Sequence, residues 1–383
     1  MAKPRSIFED VAASATAGRA PVAASPSRIE AAPGARRAIR VWLWVLFALV
    51  VTMIAVGGMT RLTDSGLSIT EWRPVTGAIP PMTDTDWQAE FDRYRQIDQY
   101  RLVNQGMNLA EFKAIYWWEW GHRQLGRLMG LVWALGYAWF WLRRQIPAGW
   151  HLRLALPGLL GGVQGGIGWW MVHSGLQEGM VAVASYRLAT HLGLAFVILG
   201  LLAWYALLLG RSDSALLLAR RGREVRQVSL TTGLMHIAFV QILLGALVAG
   251  IDAGRGFTDW PLMAGQVLPP GAFEMTPLWR NFFENDGLVQ FIHRGWGYFL
   301  ALFTAWVWWR GRKSTHAHTS RAISLMALVM LGQIVLGVFT VMYGAPVYLG
   351  ISHQVMAVLL WVLILRTRHF ARYPLGGTIR RTA

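Results

Sequence analysis

The sequence predicts an all-α polytopic membrane protein, with eight transmembrane helices arranged as two pseudo-symmetric four-helix bundles. Three observations carry that expectation. Hydrophobic residues fill 54% of the 383 positions and charged residues 15%, with a mean hydropathy of +0.37, whereas soluble domains are about a quarter charged. Apolar runs of roughly the 20 residues needed to cross a bilayer recur along the chain. Short motifs repeat in the same order in its two halves, the signature of a duplicated architecture. The 21 tryptophans agree with this, because indole rings collect where hydrocarbon meets water.

Residues 1–38 are rich in Ala, Ser and Pro, lack apolar periodicity, and are expected to form a disordered cytoplasmic tail. An organellar transit peptide is the alternative, weakened by Glu9 and Asp10. The spans then fall at 41–60, 117–142, 154–173, 186–210, 228–250, 288–309, 322–343 and 347–366. This divides the chain into an N-terminal half over 39–210 with a long outer loop at 61–116, a cytoplasmic linker at 211–227, a C-terminal half over 228–368, and a cytoplasmic tail at 369–383.

Charge sets the orientation. Lys and Arg outnumber Asp and Glu by 36 to 20, a net +16. The basic residues alternate with the apolar runs, at Arg36, Arg37 and Arg40, at Arg143, Arg144 and Arg153, at Arg220 to Arg226, at Arg310 to Lys313, and at Arg366 and Arg368. The intervening connections hold most of the acids, including Asp84, Asp86, Glu90, Asp92, Asp252, Asp259, Glu274, Glu284 and Asp286. That is the positive-inside pattern, with both termini cytoplasmic, and it reads the basicity as topology rather than as a nucleic-acid footprint. The absence of cysteine excludes disulfides, thiolate nucleophiles and iron–sulfur clusters.

The repeats are specific. TEWRPVTGAIPP from Thr70 matches TDWPLMAGQVLPP from Thr258, and GHRQLG from Gly121 matches IHRGWG from Ile292. The third, fifth and seventh segments share Gln-x-x-x-Gly at Gln164/Gly168, Gln241/Gly245 and Gln333/Gly337, and Met53/Gly57 fills that slot in the first. Gly158, Gly162 and Gly166, with Gly161 and Gly165, give the third segment a small-residue face on which helices can approach closely, within the chain or between copies in a homo-oligomer. GGVQGGIG resembles a dinucleotide fingerprint only superficially, since no strand precedes it.

Histidine carries the chemistry. His122, His191, His293 and His353 stand one per even segment, each a short way inside the outer end, at similar depth, roughly 5–10 Å from the boundary at 1.5 Å rise per residue. A lone intramembrane histidine is more often a packing residue, and His236 is left as one; four at one level, repeated between halves, point to metal ligation. A bis-histidine heme takes its two nitrogens from different helices at matched depth, so the pairs are His122 with His191 and His293 with His353. Zinc or copper is the rival, disfavoured because no cysteine or second carboxylate completes a site. Arg123, Arg187 and Arg294 lie beside these histidines and suit heme propionates, or equally interfacial snorkelling. Glu119 lies three residues before His122, where the second half has Gln290 before His293. That contrast gives the first half an ionisable group for proton-coupled chemistry and leaves the second as an electron relay; the bland alternative is a solvated interfacial glutamate.

The stretches GGMTRLTDSGLSITEWRPVTGAIPP, EFKAIYWWEWGHRQLGR, YRLATHLGLA, FIHRGWGY and GISHQVMAVLLW resemble the heme A synthase family, and the resemblance runs from about residue 40 to 366. It implies a membrane oxidoreductase that converts heme O to heme A by two successive hydroxylations of the methyl group at porphyrin carbon 8, the gem-diol losing water to leave a formyl group, for terminal cytochrome oxidases. It implies that His293 and His353 ligate a permanent heme b cofactor with Arg294 beside them. It implies that His122 and His191, with Arg123 and Arg187, hold the substrate heme, and that Glu119 is the catalytic residue. Some members carry cysteine pairs in the outer loops; this chain resembles the cysteine-free proteobacterial and mitochondrial branch. The location implied is the bacterial inner membrane, or alternatively the mitochondrial one. The partners implied are membrane lipid, heme O synthase and cytochrome oxidase assembly factors, with quinol the candidate electron donor and no nucleic acid.

Competing readings are a diheme membrane cytochrome that oxidises quinol and a heme carrier without chemistry. The Glu119/Gln290 contrast favours chemistry over carriage.

Overall fold

A computed structural model describes residues 33–376, so the tail expected up to residue 32 and the last seven residues lie outside it. The described chain is helical throughout, its one β feature an isolated bridge between Met263 and Gln266. Its helices are α1 (Pro33–Leu62), α2 (Asp84–Tyr94), α3 (Leu109–Leu142), α4 (His151–Gly175), α5 (Ser185–Leu209), α6 (Asp213–Arg221), α7 (Val225–Gly250), α8 (Asp286–Gly311), α9 (Ala317–Met342) and α10 (Val347–Arg372).

Six of these, α1, α3, α5, α7, α9 and α10, are long and apolar enough to cross a membrane. Helices α4 and α8 match them in length, but glycines, tryptophans and residues such as Arg153, Gln164, Gln290 and Arg294 dilute their hydropathy. Large apolar side chains face outward from these helices, among them Leu128, Leu131 and Leu135 on α3 and Leu325, Leu328 and Leu331 on α9. In water such a surface would drive aggregation; in hydrocarbon it costs nothing.

Several boundaries differ from the sequence expectation. Helix α1 starts at Pro33, so residues 33–38 are helical rather than tail; proline's fixed φ suits a first helical position. Helix α3 starts eight residues earlier than the expected span at 117, because Asn108 and Glu111 form a reciprocal capping box. The linker contains the amphipathic helix α6, and α10 continues to Arg372. The outer loop holds α2, capped by Thr83 and Asp86, whose Trp87, Phe91 and Tyr94 pack on Phe112 and Tyr116 of the extended α3 as a small core of their own.

Packing runs in two rings. Helix α1 packs on α3 and α5, and α4 joins α3 to α5; likewise α7 packs on α8 and α10, and α9 joins α8 to α10. The rings meet through α1, α5, α7 and α10. There Trp361 on α10 donates its indole N–H to the Phe196 carbonyl on α5 at 3.1 Å. Gln354 donates to the Ile54 carbonyl at 2.7 Å, lying against Gly58, where a Cβ would collide with its amide. At the C-terminal end of α1, Arg61 bonds Asp64 at 2.7 Å and reaches across to Asp252 after α7 at 2.6 Å.

The glycine face of α4 is only partly used within the chain. Gly158 receives the Trp133 ring, whereas Gly161, Gly162, Gly165 and Gly166 have no neighbour within 4 Å of a modest added side chain.

Candidate functional site

Each of the four histidines rests on a glycine of the neighbouring helix. A Cβ at Gly57 would stand 2.8 Å from the His122 ring, at Gly168 3.0 Å from His191, at Gly245 3.1 Å from His293, and at Gly337 2.9 Å from His353. All four contacts are at the ring Cε1 atom; at Gly57 and Gly337 a Cβ would force the imidazole to move, and at Gly168 and Gly245 the ring would have to give by a few tenths of an ångström. His191, His293 and His353 are the seventh, eighth and seventh residues of their helices, as the shared depth requires, while His122 is the fourteenth of α3 because that helix rises into the outer domain.

The structure brings the histidines together in the expected pairs. His122 and His191 lie within Coulombic reach of one another, as do His293 and His353. The Nδ1 atoms of His122, His191 and His353 are buried without a hydrogen-bond partner. Paired imidazoles seated on glycines, three of them with a buried Nδ1 that has no partner, would suit ligation of a heme iron. A zinc or copper cage wants three or four ligands, and among the described residues no three His, Asp or Glu side chains converge. His236 instead donates to the Thr232 carbonyl at 2.8 Å, as a packing residue would.

The glutamines of the repeat have a defined job. Gln164, Gln241 and Gln333 donate their amide N–H to the backbone carbonyls of His191 (2.8 Å), His293 (3.1 Å) and His353 (3.1 Å). Sequence reasoning saw the spacing but not its target.

Glu119 is buried, 3% exposed, so it is not a solvated interfacial carboxylate. Its Oε2 accepts from the Ser68 hydroxyl and the Ile69 N–H, both at 2.8 Å, and Oε1 accepts from Arg123 at 2.5 Å. Arg123 also donates to the carbonyls of Ile69 and Glu71. The second half repeats this with its charge removed: Arg294 donates to the carbonyls of Phe257 and Asp259 and to Gln290 Oε1 at 3.2 Å, while Gln290 donates to Phe257. Each arginine, next in sequence to a histidine, thus ties the loop before its helix to that helix. Ser68, whose role sequence reasoning missed, lies within the conspicuous stretch that begins at Gly57, but no spacing there ties it to Glu119. Arg187 stacks on Trp170 at 4.3 Å, donates once to its carbonyl, and keeps a buried Nε without a partner. Beneath the second loop, Asp259 accepts from the Gly265 and Ala264 N–H groups, which hold its carboxyl below the usual range.

Comparison with known proteins agrees with this arrangement. A family model described as cytochrome oxidase assembly protein matches residues 40–365. The heme A synthase of Ruegeria pomeroyi is 63% identical, covering 99% of this chain and 100% of its own. That of Roseobacter denitrificans is 60% identical over the whole of both chains, and that of Paracoccus denitrificans 59% identical over 99% of each. This chain belongs to the cytochrome oxidase assembly protein family, in company with those heme A synthases.

Proposed function

We propose that the chain is a membrane oxidoreductase that converts heme O to heme A, oxidising the methyl group at porphyrin carbon 8 to a formyl group in two hydroxylations. The observation that carries this reading is the set of four glycine-seated histidines in two pairs, set beside full-length identity of 58–63% to heme A synthases. His293 and His353 are assigned to a resident heme b, and His122 and His191 to the substrate heme O. Bound heme b supplies one-electron redox chemistry.

The residues divide the work. The substrate pair orients heme O so that one edge lies toward Glu119, on the same face of α3. Removing hydrogen from a methyl group releases protons, and a buried carboxylate is a fitting acceptor. Its three donors, Ser68, Ile69 and Arg123, fix where the carboxylate points. Gln290, bonded in the same way, cannot ionise, which suits a half that only relays electrons. Arg123 and Arg294 tie the loops before their helices with their terminal nitrogens, and Arg187, bonded only once, is the arginine assigned to a substrate propionate.

Eight helices crossing the bilayer as two related four-helix bundles, with both termini cytoplasmic and the molecule in a bacterial inner membrane, complete the reading. The division that follows from it is a substrate half from α1 to α5, a linker that holds α6, and a heme b half from α7 to α10. The partners proposed are heme O synthase, cytochrome oxidase assembly factors and a quinol donor.

The test is expression with and without a heme O supply, followed by chromatography of the extracted hemes. Heme b with heme O and heme A together is the expected result. Heme b alone, whatever the supply, would replace this reading with a quinol-oxidising cytochrome.

A further inference from the structure

Of the four histidine seats, three are built alike and one is not. Gln164, Gln241 and Gln333 each stand one turn before a seat glycine and donate to the backbone carbonyl of the histidine resting there. Gln241 also lies 3.2 Å from His293 Nδ1, and Gln333 3.3 Å from His353 Nε2, so in these two sites the amide touches the ring as well as the backbone. The histidine is held from both sides, by the glycine at its Cε1 edge and by the amide at its carbonyl. At the first seat the same slot holds Met53. The slot is the same in space: a Cβ on Gly297 would meet the Gln241 amide at 3.3 Å, and a Cβ on Gly126, the matching residue of α3, would meet the Met53 methyl at 3.5 Å. A thioether is close to an amide in volume but donates no hydrogen bond. His122 therefore has the seat without the pin; the unpartnered Nδ1 it shares with His191 and His353, so the missing amide at the neighbouring helix is what sets it apart.

The odd site falls where chemistry has a use for it. A resident cofactor wants two fixed ligands, whereas a substrate heme has to arrive and its product leave, so both iron–nitrogen bonds would form and break in each cycle and one ligand has to swing aside to open the way. We propose that His122 is the exchangeable ligand of the substrate pair, made so by Met53, while His191, pinned by Gln164, stays fixed as the platform on which heme docks. The proposal rests on the ligand assignment given above. Gln164, Gln241, Gln333 and Met53 are then positioning residues that act through their histidines.

The experiment measures the rate at which heme O passes from the purified, heme-O-loaded protein to excess apomyoglobin, followed by the Soret shift. Met53→Gln installs the missing pin at nearly constant volume and should slow that transfer at least fivefold, leaving the heme b spectrum unchanged. Gln164→Met removes the pin from His191 and should speed it by a similar factor. Gln241→Met should broaden the low-spin electron paramagnetic resonance signal of heme b, because its ligand ring loses a fixed orientation. Transfer at the wild-type rate from both Met53→Gln and Gln164→Met would overturn the inference. His122→Ala separates the two levels of the argument: loss of six-coordinate heme O supports the ligand assignment, and retention of it would sink the assignment together with the inference.

Discussion

At the scale of single residues, the first-half carboxylate carries the most weight. Glu119→Gln keeps the shape that Gln290 shows to be compatible with the fold, but two of its donors, Ser68 and the Ile69 N–H, would face an amide that can satisfy them only through one oxygen. Loss of charge-assisted bonds of this kind costs about 1–3 kcal/mol. The expected outcome is a somewhat less stable protein with an intact heme b spectrum and heme A reduced at least tenfold, about 1.4 kcal/mol of barrier, with heme O or its hydroxylated intermediate accumulating. Ser68→Ala removes one donor and leaves the charge, so it should retain most activity; equal losses in both variants would mean that the loop contact matters and the charge does not. Asp259 gives a pH prediction. Its folded carboxyl is held below the ordinary value of about 3.9, so its stabilisation is complete above that pH and disappears as the pH falls through the lower, folded value. Protection factors of the amides in residues 259–265, which remove the intrinsic pH dependence of exchange, should be unchanged between pH 7 and 5 and should fall below about pH 4, and an Asp259→Asn variant should already show lower protection at neutral pH.

At the scale of helices, the seat glycines are the vulnerable points. Gly245→Ala puts a methyl group 3.1 Å from the His293 ring, and with the Gln241 amide on its other side the ring has little room to yield. Overpacking of that kind costs about 1–3 kcal/mol, and it should move the heme b absorption and potential while leaving substrate-site spectra alone; an unperturbed heme b would contradict the placement of His293. These helices show what could be read in advance. The four histidines and the Gln-x-x-x-Gly spacing were legible because both lie on regular helices, where sequence offsets translate directly into depth and face. The cage around Glu119 was not, because Ser68 and Ile69 come from a loop some 50 positions away and only folding brings them there. The early start of α3 was readable in principle from Asn108 and Glu111, but the polar first turns carry no hydropathy signal. Hydropathy alone also underrates α4 and α8, whose glycines and histidine-flanking polar residues are the ones that build the sites.

At the scale of the whole molecule, the two rings are joined by backbone-directed side chains through the hydrocarbon region and by Arg61 at the C-terminal end of α1. Arg61→Ala should lower stability only modestly, on the order of 1 kcal/mol, since both aspartates are more than a third exposed; Trp361→Ala should cost more, about 3–5 kcal/mol, because it empties a buried site. A larger effect from Arg61 than from Trp361 in detergent melts would show the surface bridge to be the main join. Orientation is testable separately: a reporter fused near Asp86 should behave as external and one near Arg221 as cytoplasmic. The Arg61 bridge also bears on the symmetry of the molecule. Taking Gly57 and Gly245 as equivalent, Asp64 corresponds to Asp252, and Arg61 corresponds to Ala249. Both aspartates are kept, but only one arginine stands between them. Two identical half-length subunits would have to place the same residue on both sides of their axis, either two crowded guanidiniums or none. A single polypeptide is free of that self-complementarity, so its two sides can differ, as they do at Arg61 and Ala249, at Glu119 and Gln290, and at Met53 and Gln241.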